Sequence, residues 1–279
     1  MTPSPGSSDK GLNSGSPEKH RPPPASAPFR LGNLDVDAHL SDPETKQAFV
    51  TPMFDVIAPK YDVFTRVFSF GMDVGWKQEA IVAAVARAGD ARRALDLACG
   101  TGDFSFALAS QLPAISVTGV DASPRMIGEA SRRLENASGL SKSNVRFEVG
   151  DMMKLTASSS SIDLITTGYG VRNVPSAEQS VREMARTLRS GGTLVTLDFY
   201  RPELSLWRKL LLGYLSVAGN AVGWLWYRDP VVYGYIAKSI EHFMSWQAFS
   251  ALLVREGFVV NRVVRHLGGG IALHVATRL

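Results

Sequence analysis

The sequence has little of the features that place a protein outside the cell or across a membrane. Cys99 is the single cysteine, so no disulfide can form within the chain, which fits a reducing compartment. The first residues, Met-Thr-Pro-Ser-Pro-Gly, lack the apolar core of a secretory signal. The longest apolar region, residues 204–227, is interrupted by Arg208 and Lys209 and is not a convincing membrane span. We therefore expect a cytoplasmic protein.

The chain also lacks any run rich in lysine and arginine, although its net charge is +4 and its pI is about 9.2. A diffuse positive charge of this size is explained as well by anionic lipid headgroups as by nucleic acid. We expect no nucleic-acid partner and no metal site.

A short stretch, Ala94 to Asp103, organises the rest of the chain. Its sequence, Ala-Leu-Asp-Leu-Ala-Cys-Gly-Thr-Gly-Asp, predicts a buried strand that enters a tight glycine turn. A dinucleotide-binding turn requires a third glycine, but that position is Ser105. Asp96 and Asp103 flank the turn and would repel a phosphate. The turn therefore suits a ligand with a cationic amino group, of which S-adenosylmethionine is the commonest, although a purely structural turn is equally consistent with it.

From Ala94 onward, strand and helix patterns alternate. This alternation predicts a doubly wound parallel sheet with right-handed crossovers. Near the end, two strands separated only by Gly268-Gly269 must pair antiparallel. The predicted strands are Ala94–Ala98, Ser116–Asp121, Val145–Val149, Ile162–Thr167, Thr193–Phe199, Phe258–Leu267 and Gly270–Thr277. The predicted helices are Phe104–Leu112, Pro124–Asn136 with Ser123 as N-cap, Ser176–Leu188 stopped by Gly191-Gly192, and Ser245–Arg255.

Two regions precede the first strand. Seven of the fifteen prolines fall before Arg30, and residues 1–45 have few large apolar residues, so we expect a disordered tail followed by one domain over residues 46–279. Aromatic and apolar residues at helical spacing, interrupted by Pro52 and Pro59, and an amphipathic helix over Trp76–Ala88 follow. Two such helices are more than a sheet requires, so we expect them to cap its ligand edge.

Acidic residues stand near the carboxyl ends of three successive strands. Asp96 lies in the first strand and Asp121 ends the second, about twenty residues after the glycines, where an acid can accept both ribose hydroxyls. Asp151 and Met152 follow the third and could contact adenine by its amine and its ring. Each acid alone is more often a solvated loop residue, but three acids at one sheet edge predict an adenosine site.

Several motifs together resemble the ubiquinone/menaquinone biosynthesis C-methyltransferase family, a group of class I S-adenosylmethionine-dependent methyltransferases. They are the glycine turn, Gly119-Val-Asp121, Gly150-Asp151, Met53-Phe-Asp-Val-Ile-Ala-Pro-Lys-Tyr-Asp62, Ser69-Phe-Gly71 with Trp76-Lys77, Val171-Arg-Asn-Val174 and Gly269-Gly-Ile-Ala-Leu-His274. The resemblance covers residues 46–279.

The resemblance implies an α/β fold, a Rossmann-like seven-stranded sheet whose last strand is antiparallel, and S-adenosylmethionine as cofactor. The implied reaction is methyl transfer to a ring carbon of a prenylated quinol, such as demethylmenaquinol or a ubiquinol precursor. The cofactor-binding residues predicted from the strand-end pattern and from the resemblance are Asp96, Gly100, Thr101, Gly102, Asp121, Ala122, Asp151, Met152 and Gly168. Tyr61, Arg172 and Asn173 match residues near the quinol ring.

The sequence departs from the family pattern in places. Thr65 stands where the family usually has asparagine, and Gly168 stands where serine is common, so a contact at Gly168 would come from the backbone. The tryptophan-rich stretch 204–227 has two interpretations that we weigh equally. It lines an entrance for a prenyl tail or contacts the inner face of a membrane, or it is a structural cover or homodimer contact.

Chemistry assigns roles to the three residues of the quinol side. An aromatic carbon becomes a good nucleophile when a neighbouring hydroxyl loses its proton, so the site should stabilise a phenolate-like oxygen. Arg172 stays charged and is a poor base, and we expect it to stabilise that oxygen while Tyr61 and Asn173 orient the ring. His274, a lone strand histidine, is expected to be structural rather than a proton carrier.

Two other functions stay open at this point. One is a methyltransferase of the same descent that acts on another small aromatic or natural-product substrate, because residues 207–233 match the family weakly. The other is a binding module that keeps the fold without catalysis, which the retained acids and the Arg172-Asn173 pair argue against.

Overall fold

The computed structural model describes residue 1 and residues 43–58, 63, 65–66, 69–137, 144–227 and 231–279. Most of the predicted tail, 1–45, lies outside these residues, and the first helix begins at Pro43. The strands are β1 Arg93–Leu97, β2 Ser116–Asp121, β3 Val145–Val149, β4 Ile162–Gly168, β5 Leu188–Phe199, β6 Phe258–His266 and β7 Ile271–Arg278. The helices are α1 Pro43–Ile57, α2 Met72–Ala88, α3 Asp103–Gln111, α4 Pro124–Asn136, α5 Ala177–Thr187, α6 Ser205–Tyr227, α7 Val231–His242 and α8 Trp246–Arg255.

All seven strands form one sheet in the order β3-β2-β1-β4-β5-β7-β6. The first five strands pair in parallel, whereas β7 pairs antiparallel with both β5 and β6. The predicted fold is therefore confirmed, including the antiparallel final hairpin. The strand order reverses between β1 and β4, and open parallel sheets bind ligands outside the carboxyl ends of the strands at such a reversal.

Apolar side chains from both faces of the sheet hold the helices in place. Alternate residues of a strand point to opposite faces, so Leu97 and Ile165 pack with α5 and α8, whereas Leu164 and Val195 pack with α2 and α3. The sheet is thus the middle of three layers, and the carboxyl edge of its parallel strands is left for other elements to cover.

One of the two N-terminal helices covers that edge. α1 lines a cleft there with Gln47, Val50, Thr51 and Phe54, and it continues through Pro52, where an interruption was expected. α2 is different, because it begins at Met72, four residues before the expected start, and packs on the face of the sheet through buried residues such as Trp76. Of the two helices predicted to cap the sheet, α1 is therefore the one that does so.

The prediction that Gly191-Gly192 stops the helix before β5 is wrong. α5 ends at Thr187, and its cap is already the first residue of the twelve-residue strand β5. The two glycines lie inside that strand, where the pairing with β4 shifts register between Ile162 and Leu164. Gly191 has φ = 74°, which a β-branched strand residue would not tolerate. The glycines therefore form a bulge rather than a helix stop.

His274 is a buried structural residue of β7, as expected. Its Nε2 lies 3.0 Å from Ser250 Oγ, and its Nδ1 lies 3.4 Å from the hydroxyl of Tyr200. Burial lowers the pKa of His274 to about 4, so the ring stays neutral at ordinary pH. A neutral ring hydrogen-bonded in the core has no route to the cleft at the sheet edge.

α6 is the tryptophan-rich segment of the sequence. Leu211 and Leu215 on its inner face belong to the same buried cluster as Val50 and Met53 of α1, the helix that covers the cleft. Among the described residues, no helix is both long enough and apolar enough to cross a bilayer.

Candidate active site

A cleft opens at the carboxyl edge of the parallel strands, under α1, and it encloses about 670 Å³ when the solvent at its mouth is included. Seven residues predicted or matched from the sequence line it together: Gly100, Asp121, Ala122, Asp151, Met152, Gly168 and Asn173. The structure therefore brings one group from each of four strand ends to the same space.

The loop after β1 is shaped by its two glycines in different ways. Gly100 has φ = 54°, and a Cβ built there would meet no atom within 4 Å, so a side chain would project into open space beside the cleft that Gly100 lines. Gly102 has φ = 92°, and its Cβ would lie 2.8 Å from both Phe106 and Phe147. Gly102 caps α3 and does not line the cleft. The structure gives Gly102 a structural role at the start of α3, and its contact with a cofactor stays a prediction.

Two non-glycine residues in neighbouring loops also adopt the left-handed conformation. Ala98 follows β1 with φ = 51°, and Tyr169 follows β4 with φ = 60°; both line the cleft. Positive φ is costly for residues with a side chain and persists where the surrounding structure enforces it, most often at functional sites. The strained backbone lies at the reversal of strand order, where a ligand was expected.

Asp121 at the end of β2 is held by two backbone donors. Gly100 N donates to Asp121 Oδ2 at 2.9 Å, and Ser123 N donates to Oδ1 at 2.8 Å. Burial raises the pKa of Asp121 and these two hydrogen bonds oppose the rise. Each carboxylate oxygen accepts more than one hydrogen bond, so the fixed side chain can still accept two further donors from a ligand.

Asp96 lies in a smaller cavity beside the cleft. That cavity shares Ala98, Gly100 and Gly168 with the cleft and is also lined by Thr101. The predicted residues Asp96 and Thr101 therefore adjoin the main cleft and do not line it. Ser105 donates to Asp96 Oδ2 through its backbone N and its hydroxyl. Burial raises the pKa of Asp96 to about 7, although the hydrogen bonds from Ser105 and Thr166 favour the charged form.

Asp103 also lines the smaller cavity, and two cations balance its charge. Its carboxylate forms ion pairs with Lys77 at 2.9 Å and with Arg133 at 3.0 Å. Burial alone would raise the pKa of Asp103, but the two cations hold it below its usual value. Asp103 therefore stays charged at the turn, and its charge is offset by two residues distant in sequence.

The residues after β3 form the far wall of the cleft. Asp151 Oδ1 accepts from Met153 N at 2.8 Å, which holds the carboxylate at the end of the strand. Met152 is buried in the core and also lines the cleft, so it can offer an apolar surface to a planar ring. Gly168 lines the same cleft at the end of β4.

Arg172 and Asn173 lie in a short 3-10 turn after β4, and the structure separates their roles. Asn173 lines the cleft, whereas Arg172 does not. The Arg172 guanidinium donates to Asp198 Oδ1 at 2.8 Å and to Tyr169 O at 2.8 Å. Asp198 Oδ2 also accepts from the backbone N of Arg172. Arg172 therefore forms a buried ion pair that fixes the turn, and its direct contact with a substrate oxygen stays a prediction.

Asn173 is positioned by two groups. Its Nδ2 donates to Tyr169 O at 2.9 Å, and its Oδ1 accepts from the hydroxyl of Tyr235 at 3.0 Å. An amide nitrogen has two N–H donors. Among the described residues only one of these has an acceptor, so the other can serve a ligand in the cleft.

α1 is fastened over the cleft at both ends. Lys46 Nζ donates to Arg172 O at 2.9 Å, and burial, with repulsion from Arg172, lowers the pKa of Lys46 to about 8. At the other end, the hydroxyl of Ser123 donates to Asp55 Oδ1. The helix therefore bridges the substrate-side turn and the start of α4.

Sequence reasoning missed Asp198, Tyr235 and Lys46. Asp198 could have been found by extending the search for acids to the end of the fifth strand. No local signal pointed to Tyr235 or Lys46, because they reach Asn173 and Arg172 across 62 and 126 residues of chain. Tyr61, predicted beside the quinol ring, lies outside the described residues.

Comparison with known proteins identifies sequence relatives over nearly the whole chain. The profile of the ubiE/COQ5 methyltransferase family matches residues 42–278. A demethylmenaquinone methyltransferase of Deinococcus radiodurans is 34% identical over 219 residues, covering 78% of this chain and 88% of that protein. A demethylmenaquinone methyltransferase of Listeria monocytogenes is 31% identical over 232 residues, which cover 83% of this chain and 96% of that protein.

Solved structures share the fold. The YcgJ protein of Bacillus subtilis superposes with a TM-score of 0.51 at 19% identity, over 72% of this chain and 98% of that one. A geranyl diphosphate methyltransferase in complex with GPP and sinefungin superposes with a TM-score of 0.54 at 16% identity, over 72% and 78%. At these identities the likeness concerns the fold alone.

Proposed function

Because the chain belongs to the ubiE/COQ5 methyltransferase family, we propose that it transfers a methyl group to a ring carbon of a prenylated quinol, converting demethylmenaquinol to menaquinol. The observation that supports this most is the cleft itself. It combines acids and a glycine from three strand ends with the amide of Asn173 from the fourth. A cofactor side and a substrate side therefore meet in one space.

The cofactor is S-adenosylmethionine, and the residues present fit it. When bound, it supplies an electrophilic methyl group. A side chain at Gly100 would project into open space beside the cleft, so only glycine leaves this space for a ligand. Asp121 would accept the ribose hydroxyls, Asp151 and Met152 would hold the adenine, and Asp96 would face the cationic end of the cofactor.

On the substrate side, Asn173 would donate its second N–H to a ring oxygen of the quinol. In this proposal Tyr235 does not contact the substrate. Its hydroxyl holds the Asn173 amide in place by donating to Asn173 Oδ1. Arg172 acts as a positioning residue, because its guanidinium holds the Tyr169 carbonyl and Asp198. Tyr61 is proposed to orient the ring from the segment that follows α1.

Catalysis requires that the quinol hydroxyl lose its proton to water, because the neighbouring carbon then becomes a stronger nucleophile. That carbon forms a bond to the methyl group as the methyl–sulfur bond breaks, and it then releases its own proton to water, which restores the aromatic ring. A preorganised donor at the deprotonated oxygen lowers the barrier in a site that excludes bulk water. α1 supplies that exclusion with Val50 and Phe54, and the rigid turn of Asn173 supplies the donor.

The proposed substrate carries a prenyl tail and is held by a lipid bilayer. We therefore place the protein at the inner face of a membrane as a peripheral enzyme with one catalytic domain from about residue 46 onward. Self-association as a homodimer is the alternative use of its exposed apolar surface.

Cofactor affinity should increase with pH because of Asp96. Its pKa is about 7 without ligand, so the carboxyl is mostly neutral at pH 6 and mostly charged at pH 8. A cationic ligand binds the charged form, so S-adenosylmethionine affinity should rise by about tenfold from pH 6 to pH 8. Calorimetry at both pH values measures this, and Asp96→Asn should remove most of the dependence. An equal slope in the variant would show that another group titrates.

A substrate panel tests the function. The protein is incubated with S-adenosylmethionine that has a ¹³C-labelled methyl group and with demethylmenaquinol, a demethylated ubiquinol precursor and simple phenols. The proposal predicts a labelled methyl group on a ring carbon of a prenylated quinol. Methylation of an oxygen, or of the simple phenols in preference to both quinols, would reject it.

A further inference from the structure

The outward face of α6 is apolar, which is unusual for a surface helix. A helix that packs on a protein core normally exposes charged and polar residues on its other side. Among the positions of α6 between 206 and 224 whose exposure the structure describes, nine are exposed, and one of these nine is charged: Leu206, Lys209, Leu210, Gly213, Tyr214, Val217, Asn220, Ala221 and Trp224. Val217 and Trp224 are 72% and 67% exposed. We call these nine positions the α6 stripe.

Phe70 extends the α6 stripe from a different part of the chain. Its ring stacks on Tyr214 with centroids 6.0 Å apart, and it is 76% exposed. Phe70 also has φ = 52°, a conformation that a bulky residue adopts at a cost. An aromatic residue held in a strained turn with three-quarters of its surface in water indicates that the surface has a partner.

The inward side of α6 belongs to the same buried apolar cluster as the helix that covers the cleft. Leu211 and Leu215 of α6 share this cluster with Val50 and Met53 of α1. Val50 also lines the cleft. The α6 stripe is therefore connected to the cleft through a continuous apolar cluster.

The charge around the stripe favours an anionic surface. Residues 201–227 contain three basic residues, Arg201, Arg208 and Lys209, and one acidic residue, Glu203. Arg66 is exposed, and its carbonyl accepts a hydrogen bond from Gly71 N at 2.7 Å in the turn that presents Phe70. Basic residues that border exposed tryptophan, tyrosine and leucine are typical of segments that lie in the interface of a membrane with anionic lipids.

We propose that the α6 stripe and Phe70 dock on the headgroup–acyl boundary of a bilayer that contains anionic phospholipid. The helix lies in the plane of the interface, with its apolar residues inserted and Lys209 beside the phosphates. A bilayer suits this face better than a second copy of the chain, because the cores of protein interfaces are depleted in lysine whereas membrane interfaces favour it at the border. The purpose of the contact, delivery of a prenylated quinol, rests on the proposed function.

Vesicle flotation tests the docking with the full chain. Wild-type protein should float with phosphatidylcholine vesicles that contain phosphatidylglycerol and bind pure phosphatidylcholine more weakly. The double variant Leu210→Glu/Val217→Glu should bind at least about tenfold more weakly, because two inserted apolar side chains become charged. Val254→Glu is the matched control, because Val254 on α8 and Leu210 are both 58% exposed. This control should float like wild type.

Two further readouts separate the alternatives. Turnover of a short-chain, water-soluble quinol should be the same in wild type and the double variant, since the stripe does not line the cleft. Equal flotation of the double variant and wild type would overturn the proposal. So would a wild-type protein that does not float but is a dimer by light scattering and becomes a monomer in the double variant. Flotation as predicted with no turnover of any quinol would reject the proposed function and leave the docking intact.

Discussion

Replacement of Asp198 by alanine is expected to lower the free energy of unfolding by about 3–5 kcal/mol. Asp198 is fully buried and is paired with the guanidinium of Arg172 at 2.8 Å. The substitution would leave the cation, which is only 5% exposed, without its counter-charge. The backbone N–H groups of Arg172 and Phe199 would also lose their acceptor. Urea unfolding at pH 7.5 measures the change.

A surface ion pair provides the matched control for Asp198. Glu129 pairs with Arg132 on the exposed side of α4, where water screens both charges. Glu129→Ala should therefore cost less than about 1 kcal/mol. If Asp198→Ala unfolded at the same urea concentration as Glu129→Ala, the buried pair would not be what holds the Arg172 turn.

Replacement of Asn173 by alanine is expected to reduce turnover by about 10²–10³ with S-adenosylmethionine affinity unchanged. Asn173 is the described polar side chain after β4 that lines the cleft, and its amide is held between Tyr169 O and the hydroxyl of Tyr235. Removal of the amide takes away the proposed donor to the quinol oxygen but leaves Asp121 and Asp151 in place. Steady-state kinetics with a saturating quinol and calorimetry with the cofactor measure the two quantities.

Tyr235→Phe is the graded companion of this variant. It keeps the ring that packs in the core and deletes only the hydroxyl that donates to Asn173 Oδ1. Loss of one positioning hydrogen bond of about 1 kcal/mol should reduce turnover by no more than about tenfold. If Tyr235→Phe lowered turnover as far as Asn173→Ala, the hydroxyl itself would be the group that contacts the substrate.

The parts of the fold that were predictable are those governed by local sequence. Ser123 followed by Pro124 predicted the start of α4, and the Ser123 hydroxyl does accept from Met126 N. β2 and β3 have the predicted bounds, because apolar residues recur within each strand and a glycine or an aspartate marks where each strand ends. The prediction for the glycine pair inside β5 was wrong, because a helix stop and a strand bulge use the same residue.

The site could be predicted only where a strand end determines the position of a side chain. Asp121 and Asp151 reach the cleft for this reason, since parallel strands deliver their carboxyl ends to one edge. The charge state of the site could not be predicted in the same way. The charge of Asp103 is offset by Lys77 and Arg133, which come from α2 and α4, and Asp96 is mostly protonated below its raised pKa of about 7. Such effects depend on tertiary contacts that no spacing reveals.

The role of Arg172 shows the same limit. The sequence places Arg172 beside Asn173 in a motif, and neighbouring residues of a motif suggest related roles at the substrate. The 3-10 turn gives the two side chains different environments, so that Asn173 lines the cleft and Arg172 pairs with Asp198. The partner lies 26 residues further along the chain, on a strand whose length the sequence did not reveal.

The central claim is that the cleft under α1 holds the methyl donor, and calorimetry with S-adenosylmethionine tests it most directly. Ala122 lines the cleft, so Ala122→Phe would occupy space there, whereas Val82→Phe on the exposed side of α2 would not. We expect one bound cofactor per chain in wild type and Val82→Phe, and an affinity at least about a hundredfold weaker in folded Ala122→Phe. Equal affinity in all three proteins would contradict it.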